Sequence, residues 1–333
     1  MYMGYEKFKE NIVAETGKYF NASTSIRLEK TVRLNHPEED AVLILEPGSN
    51  SSPVIYLDGY YDDYRSGKSI GNIVKAIVTF YKENASGSGP VPLDFYLDFS
   101  QAREHIRCRL VNYEWNKAAL EGIPHKRFFD LAIVYYYKME TPDPGKSGIV
   151  VRNSHLDVWG ISAEQLHEIA LRNTREQMEI QIMTVGLKPG EDGESEETAE
   201  PGNGGSPQSG TEAEKEDEPG KLEFDYKLLS EFEPCGRVMY VITNEELYNG
   251  AVSIIFEDVL REISSRFRDN YYILPSSVHE CILVPEGILP NTSAQNFKEI
   301  VTCMNSRYVA PEDILADSVY RYDLQKQRLQ RAA

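Results

Sequence analysis

Apolar residues recur along this chain with two alternating periods. After Ser69, the residues Ile70, Ile73, Val74, Ile77 and Tyr81 follow spacings of three and four. They predict a helix capped by the serine hydroxyl and ended before Gly87-Ser88-Gly89-Pro90. Tyr5 to Tyr19 reads as an opening helix. Ser162-Ala163-Glu164-Gln165 is a capping box that starts a helix burying Leu166, Ile169 and Ala170. Ala251, Ile255, Val259, Ile263 and Phe267 stand at every fourth position and predict one amphipathic helix. A last helix, capped by Thr292 with Gln295, turns Phe297, Ile300, Val301 and Met304 inward.

Between these helices lie strand patterns. Ile26 to Leu34 alternates apolar and polar residues, and Ala41 to Leu45 and Val54 to Leu57 are short apolar runs. Further strands are predicted at Ile106 to Tyr113, Leu131 to Lys138, Gly148 to Arg152, Arg237 to Thr243, Tyr271 to Leu274 and Val278 to Val284. Strands arrive in runs and do not alternate regularly with helices. That order predicts an α+β fold in which mixed or antiparallel sheets pack against amphipathic helices.

The patterning fails in one place. Between Leu187 and Leu222 the only apolar side chains are Ala199 and Ala213. The segment is expected to be a disordered acidic linker, because so little apolar surface cannot offset the entropy of ordering it. It divides the chain into an N-terminal part, residues 1–186, a linker, 187–222, and a C-terminal part, 223–333, which is expected to pack against the first.

Charge sharpens that picture. The net charge is −18, and eleven acids against two lysines fall between Lys188 and Gly220. The remainder is mildly acidic, which disfavours general binding to nucleic acid or anionic membrane through a basic face. No segment has the length and apolarity of a membrane span, and the charged N-terminus lacks the apolar stretch of a signal peptide. Cys108, Cys235, Cys281 and Cys303 are far apart, without paired metal-ligand spacing. Buried reduced thiols in a cytoplasmic protein are expected, with no metal and no cofactor.

Candidate chemistry is sparse. Gly67-Lys68-Ser69 and Gly145-Lys146-Ser147 imitate the end of a phosphate loop, but the glycine needed five residues before the lysine-serine pair's own glycine is Asp62 or Glu140. Both read as turns. His125, after Pro124 and near Lys126, Arg127 and Asp130, suits a helix start or a surface salt bridge. His155 and Asp157, two apart at a strand end, share a face and form a candidate pair. His279 is the strongest single candidate for catalysis. On an extended strand Ser277, His279 and Cys281 would share one face, although neighbours at that spacing seldom reach nucleophile–base geometry.

Several blocks resemble a bacterial domain-of-unknown-function family, number 5688, common in gut Firmicutes. They are Ile55-Tyr56-Leu57 with Tyr64 and Gly67, Ile123 to Tyr135, Ile149 to Gly160, Met239 to Asn244, Leu274 to Pro285 and Ile314 to Asp323. A looser similarity, over Leu131 to Thr174 and Met239 to Val284, is to YtpQ-like proteins. The resemblance implies a cytosolic bacterial protein and supplies no catalytic residues. Its motif positions to test are Asn153, His155, Trp159, Asn244 and His279.

The leading expectation is a non-catalytic protein that binds another protein or acts as an accessory regulator. One alternative is a hydrolase built on His279 with Ser277, His155 and Asp157. Another is an acidic nucleic-acid mimic, suggested by Asp58, Asp62 and Asp63 among tyrosines.

Overall fold

Helix α1 (Tyr5–Gly17) buries Phe8 and Ile12 against a small antiparallel sheet of β1 (Ser25–Thr31), β2 (Glu39–Leu45) and β3 (Ile55–Tyr56), in that order. The structure, a computed structural model, describes residues 2–31, 33–35, 38–85, 93–139, 148–187, 222–235, 239–275 and 277–333. Helices α2 (Asp58–Arg65) and α3 (Ile70–Asn84) complete this first part. Ile73, Ile77 and Tyr81 of α3 close over Val42 and Ile44 in a core of their own. The Ser69 hydroxyl accepts from Asn72 N–H, as its cap position predicts. Gly67, at φ +105, and the Lys68–Asp63 ion pair of 2.8 Å make the preceding Gly-Lys-Ser a turn between helices.

The second part runs through short helices α4 (Asp94–Leu97) and α5 (Phe99–Ala102) into β4 (Ile106–Asn112), α6 (Lys117–Leu120), β5 (His125–Phe128), β6 (Leu131–Lys138) and β7 (Gly148–Val150). Helices α7 (Asn153–Trp159) and α8 (Ala163–Gln177) follow. Strand β6 pairs with β4 along one edge and with β5 and β7 along the other. Ile106, Cys108 and Leu110 alternate toward the core beneath Leu166 and Ala170 of α8. Arg107, Arg109 and Val111 therefore face the other way. Helix α8 also satisfies the free edge of β4. Cys108 N–H donates to Thr174 Oγ1 at 2.9 Å, and Asn173 Nδ2 donates to the Ile106 carbonyl at 3.1 Å.

The third part is a seven-stranded sheet of β8 (Ile180–Leu187), β9 (Leu222–Leu228), β10 (Tyr240–Asn244), β11 (Tyr271–Leu274), β12 (Cys281–Pro285), β13 (Tyr320–Asp323) and β14 (Arg328–Arg331). The spatial order is β14-β13-β11-β12-β10-β8-β9. Helix α9 (Glu257–Phe267) covers one face and α10 (Ala294–Tyr308) the other. Central strands are thus buried on both sides, which is why they read as unbroken apolar runs. On β12, Cys281 and Leu283 enter the core shared with α8 and α9, while Ile282 and Val284 enter the one under α10. Every strand pair among the described residues is antiparallel, and the class is α+β.

The acidic segment, residues 188–221, lies outside the described residues, and with it the expectation of disorder. So do Gly87 to Pro90 and Gly145 to Ser147. The strands on either side of the acidic segment pair with each other, from Gln181↔Leu228 to Leu187↔Leu222, and β8 pairs on its other edge with β10.

Several local expectations are corrected. The every-fourth series from Ala251 to Phe267 is two elements, a 3-10 turn over Gly250–Ile255 and then α9, separated by extended Phe256. The break follows from packing. Asn249 takes a left-handed φ of 55° and Gly250 is wedged against Thr243, Asn244 and His279. The last helix is capped by Ser293 with Asn296 and not by Thr292 with Gln295, because Thr292 N–H already closes a turn with the Leu289 carbonyl. His155 and Asp157 lie on helix α7, not at a strand end, so their two-residue spacing separates them around the helix. His125 opens strand β5. The strand expected from Val278 begins only at Cys281, since Ser277 to Glu280 form a turn. Cys108 and Cys281 are buried, whereas Cys235 and Cys303 are exposed.

Candidate functional site

A cavity of about 500 Å³ opens where the three parts of the chain meet. Arg33 and Asn35, just after β1, form one side. Arg109 of β4, together with Val150 and Arg152 from the end of β7, forms the wall of the second sheet. Tyr248, Asn249, His279 and Asp313 close it from the third part. Local hydrogen bonds fix this arrangement. Asn35, at φ 63°, donates its N–H to Asn116 Oδ1 at 2.6 Å and its Nδ2 to the Glu312 carbonyl at 3.0 Å. The left-handed backbone, which asparagine tolerates well, thereby ties the second part to the third.

His279 is the central polar group of the third part's wall. The Ser277 hydroxyl accepts from His279 N–H at 3.1 Å and Glu280 N–H at 3.2 Å, which makes the turn that lifts the imidazole off the strand. Asn244 then positions the opposing loop. Its Nδ2 donates to the Tyr248 carbonyl and its Oδ1 accepts from Tyr248 N–H. The Tyr248 ring consequently lies 5.0 Å from the His279 ring, and Asn249 N–H donates to His279 Nδ1 at 3.2 Å. With Nδ1 accepting, the proton sits on Nε2, which donates to Asp313 Oδ1 at 3.2 Å. Both ring nitrogens are occupied. No lone pair remains to take a proton from a nucleophile.

The neighbouring candidates do not supply a nucleophile. The Ser277 hydroxyl is turned back on its own backbone, so the serine, imidazole and thiol do not share a strand face. Cys281 is fully buried, and burial pushes its thiol well above the ordinary range. Burial likewise raises the Cys108 thiol to about 12. Neither is a thiolate near neutral pH. Among the described residues, no three His, Cys, Asp or Glu side chains are grouped to hold a metal ion.

Asn153, His155 and Trp159 form a second cluster, which does not line the cavity. Asn153 N–H donates to the Gly122 carbonyl, and its Nδ2 donates to the Glu121 carbonyl. His155 Nδ1 accepts from Tyr96 Oη at 2.6 Å and from Arg152 N–H at 2.9 Å. Trp159 Nε1–H donates to the Tyr96 carbonyl at 2.8 Å. Burial, and then the Arg152 charge, hold the His155 pKa below its ordinary value of 6.5. The cluster anchors α7 to α4 and to the turn before β5. Asp157 is exposed on that helix.

The five motif positions therefore separate into an anchoring cluster (Asn153, His155, Trp159), His279 on the cavity wall, and Asn244, which holds the loop carrying Tyr248 against it. What sequence reading missed are the arginines. One signal was present: Arg109 interrupts Ile106 to Val111, a strand otherwise apolar on both faces but for Arg107. A charge inside such a strand needs a partner or a cavity.

The acids suggested for nucleic-acid mimicry are partly engaged. Asp58 accepts from the Tyr5 hydroxyl, and Asp63 pairs with Lys68. No helix of the described residues is long and apolar enough to cross a membrane.

No curated protein and no solved structure matches this chain. The family model described as "Family of unknown function (DUF5688)" matches residues 5–324, nearly the whole chain and all of the motif blocks and both clusters, and the chain belongs to that family.

Proposed function

We propose that this protein acts by binding and not by catalysis, as an accessory or regulatory protein of the bacterial cytoplasm whose partner is another protein. The observation that carries the reading is the state of His279. Its Nδ1 accepts from Asn249 N–H and its Nε2 donates to Asp313, so this imidazole on the cavity wall is an architectural group. A hydrolase built on His279 would need Nδ1 free to receive a proton from a hydroxyl or water. Exposed rings on the surface, Trp115 at 53 % and Tyr308 at 79 %, support a protein partner, because large aromatic side chains are common anchors of protein interfaces.

The test is His279→Ala, followed by thermal melting and by turnover of p-nitrophenyl acetate and p-nitrophenyl phosphate. The expected outcome is a lower melting temperature in the variant and no turnover by either protein. Turnover by the native chain that the variant loses at unchanged stability would establish the hydrolase instead. Affinity capture from the native host, with the exposed rings replaced by alanine as the control, reads out the protein partner.

A further inference from the structure

The part of the cavity wall built from β4 and the end of β7 carries charge that the fold does not use. Arg109 projects from the middle of β4, and its Nε is buried without a hydrogen-bond partner. Its guanidinium lies 5.8 Å from the Tyr136 ring, a contact that leaves its N–H fork unspent. Arg152 is exposed and lines the same cavity, which puts it at the mouth. Among the described residues, no carboxylate forms an ion pair with Arg109 or Arg152. Arg33 is different, because it is engaged with Glu39 and stacked 3.8 Å over Tyr56. Asn249 Nδ2 is buried beside the Tyr136 hydroxyl and is directed at that group.

Arg109 is half-buried, and a guanidinium nitrogen shut off from water without a partner is costly; donors that no carboxylate pairs with are completed by an oxyanion. Apolar side chains share the lining: Leu34, Leu110, Val111, Ile123, Val150 and Val278. The volume, about 500 Å³, falls in the range that encloses a metabolite-sized molecule and is far more than a lone inorganic ion fills. The acids on the lining, Glu312 and Asp313, both lie on the side of the third part, and Asp313 is held by His279 Nε2. They repel an anion from that side and so direct it to the β4 wall.

We infer that this cavity binds a small organic anion, with its oxyanion head on Arg109 and Arg152 and an apolar body against Leu34, Val111, Ile123 and Val150. The inference deepens the reading of the chain as a binding protein by naming the ligand class. Because the lining comes from all three parts of the chain, an occupant joins them. Ligand binding then sets how firmly the parts are held, which gives an accessory protein a small-molecule input.

A carboxylic acid and a phosphate monoester share this chemistry, so the test uses phenylacetate and phenyl phosphate, with benzyl alcohol as the uncharged control. Each is titrated by calorimetry into the full chain and into Arg109→Gln and Arg152→Gln. The expected result is saturable binding of at least one anion and none of the alcohol, weakened about tenfold or more by each substitution. The anion that binds identifies the head group. Arg152 is exposed, so Arg152→Gln decides the matter if Arg109→Gln folds poorly. Absence of saturable binding by both anions, or binding that Arg152→Gln leaves unchanged, overturns the inference. That failure would leave the non-catalytic reading standing, whereas turnover of phenyl phosphate would overturn that reading and not this one.

Discussion

Tyr320 donates its hydroxyl to Asp130 Oδ1 at 2.6 Å, joining β13 to the turn between β5 and β6 across 190 residues of sequence. Ser318 Oγ donates to the other carboxylate oxygen at 2.5 Å. Asp130 is the clasp between the second and third parts. Tyr320 is fully buried and its pKa is driven up, first by burial and then by the Asp130 charge, so the phenol remains a donor. Asp130→Ala should strand that buried hydroxyl and cost about 2–4 kcal/mol, with Asp130→Asn milder because an acceptor remains. Chemical denaturation of both variants measures it, and equal losses would mean that the charge and not the hydrogen bond matters.

Gly250 should resist any side chain. A Cβ there would lie 2.5 Å from Thr243 Oγ1, 2.6 Å from the His279 carbonyl oxygen and 2.8 Å from Asn244 N. Two of those neighbours are backbone atoms and cannot rotate away. Gly250→Ala is expected to destabilise by about 1–3 kcal/mol, read as a fall in the thermal midpoint. A midpoint equal to that of the native chain would show that the loop carrying Tyr248 and Asn249 adjusts freely.

Acid should weaken the fold in a defined window. His155 and His167 both titrate below the ordinary 6.5, each chiefly because of burial, with Arg152 and Lys126 adding to it. A depressed histidine pKa means that the unfolded chain takes up the proton first as pH falls. The contribution of these groups is complete above about pH 6.5 and is lost progressively below it. Replacing His155 by Gln should flatten part of that slope in denaturant midpoints measured across the window. A slope unchanged by the substitution would assign it to other groups.

Alkali should act in the opposite sense. Burial raises Tyr136 to about 12 and shifts Tyr135, Tyr271 and Tyr320 upward as well. Above about pH 10 the unfolded tyrosines ionise while these stay protonated, so stability falls as pH rises. Circular dichroism against pH, recorded with tyrosinate absorbance, should show unfolding and ionisation together. Ionisation of all the tyrosines ahead of unfolding would contradict it.

A single break within residues 188–221 should leave the two pieces associated. Strand β8 precedes that segment, yet it bonds to β10 from Ile180↔Asn244 to Thr184↔Tyr240 and contributes Ile182 to the core shared with Tyr240 and Ile263. A specific protease site placed there, followed by gel filtration under native conditions, makes the check. Separation into two species would mean that the pairing is too weak to hold without the covalent link.

What the sequence determined by itself was local. Ser69 with the stripe Ile73, Val74, Ile77, and Ser162 with Gln165, specify their helices because cap and apolar face lie within a few turns of each other. Leu131 to Lys138 and Tyr271 to Leu274 are bounded to the residue, since a strand buried on both faces can only be a continuous apolar run. Tertiary structure decided the rest. Helix α7 exists where a strand end was expected because Asn153 and Trp159 are bound by Gly122, Glu121 and Tyr96, groups far off in sequence. His279 is spent on Asn249 and Asp313 for the same reason. The cavity is the extreme case. Arg33, Arg109, Arg152 and His279 carry no mutual spacing that a sequence period could express; they meet only because three sheets, each satisfying its own apolar pattern, pack with their polar ends together.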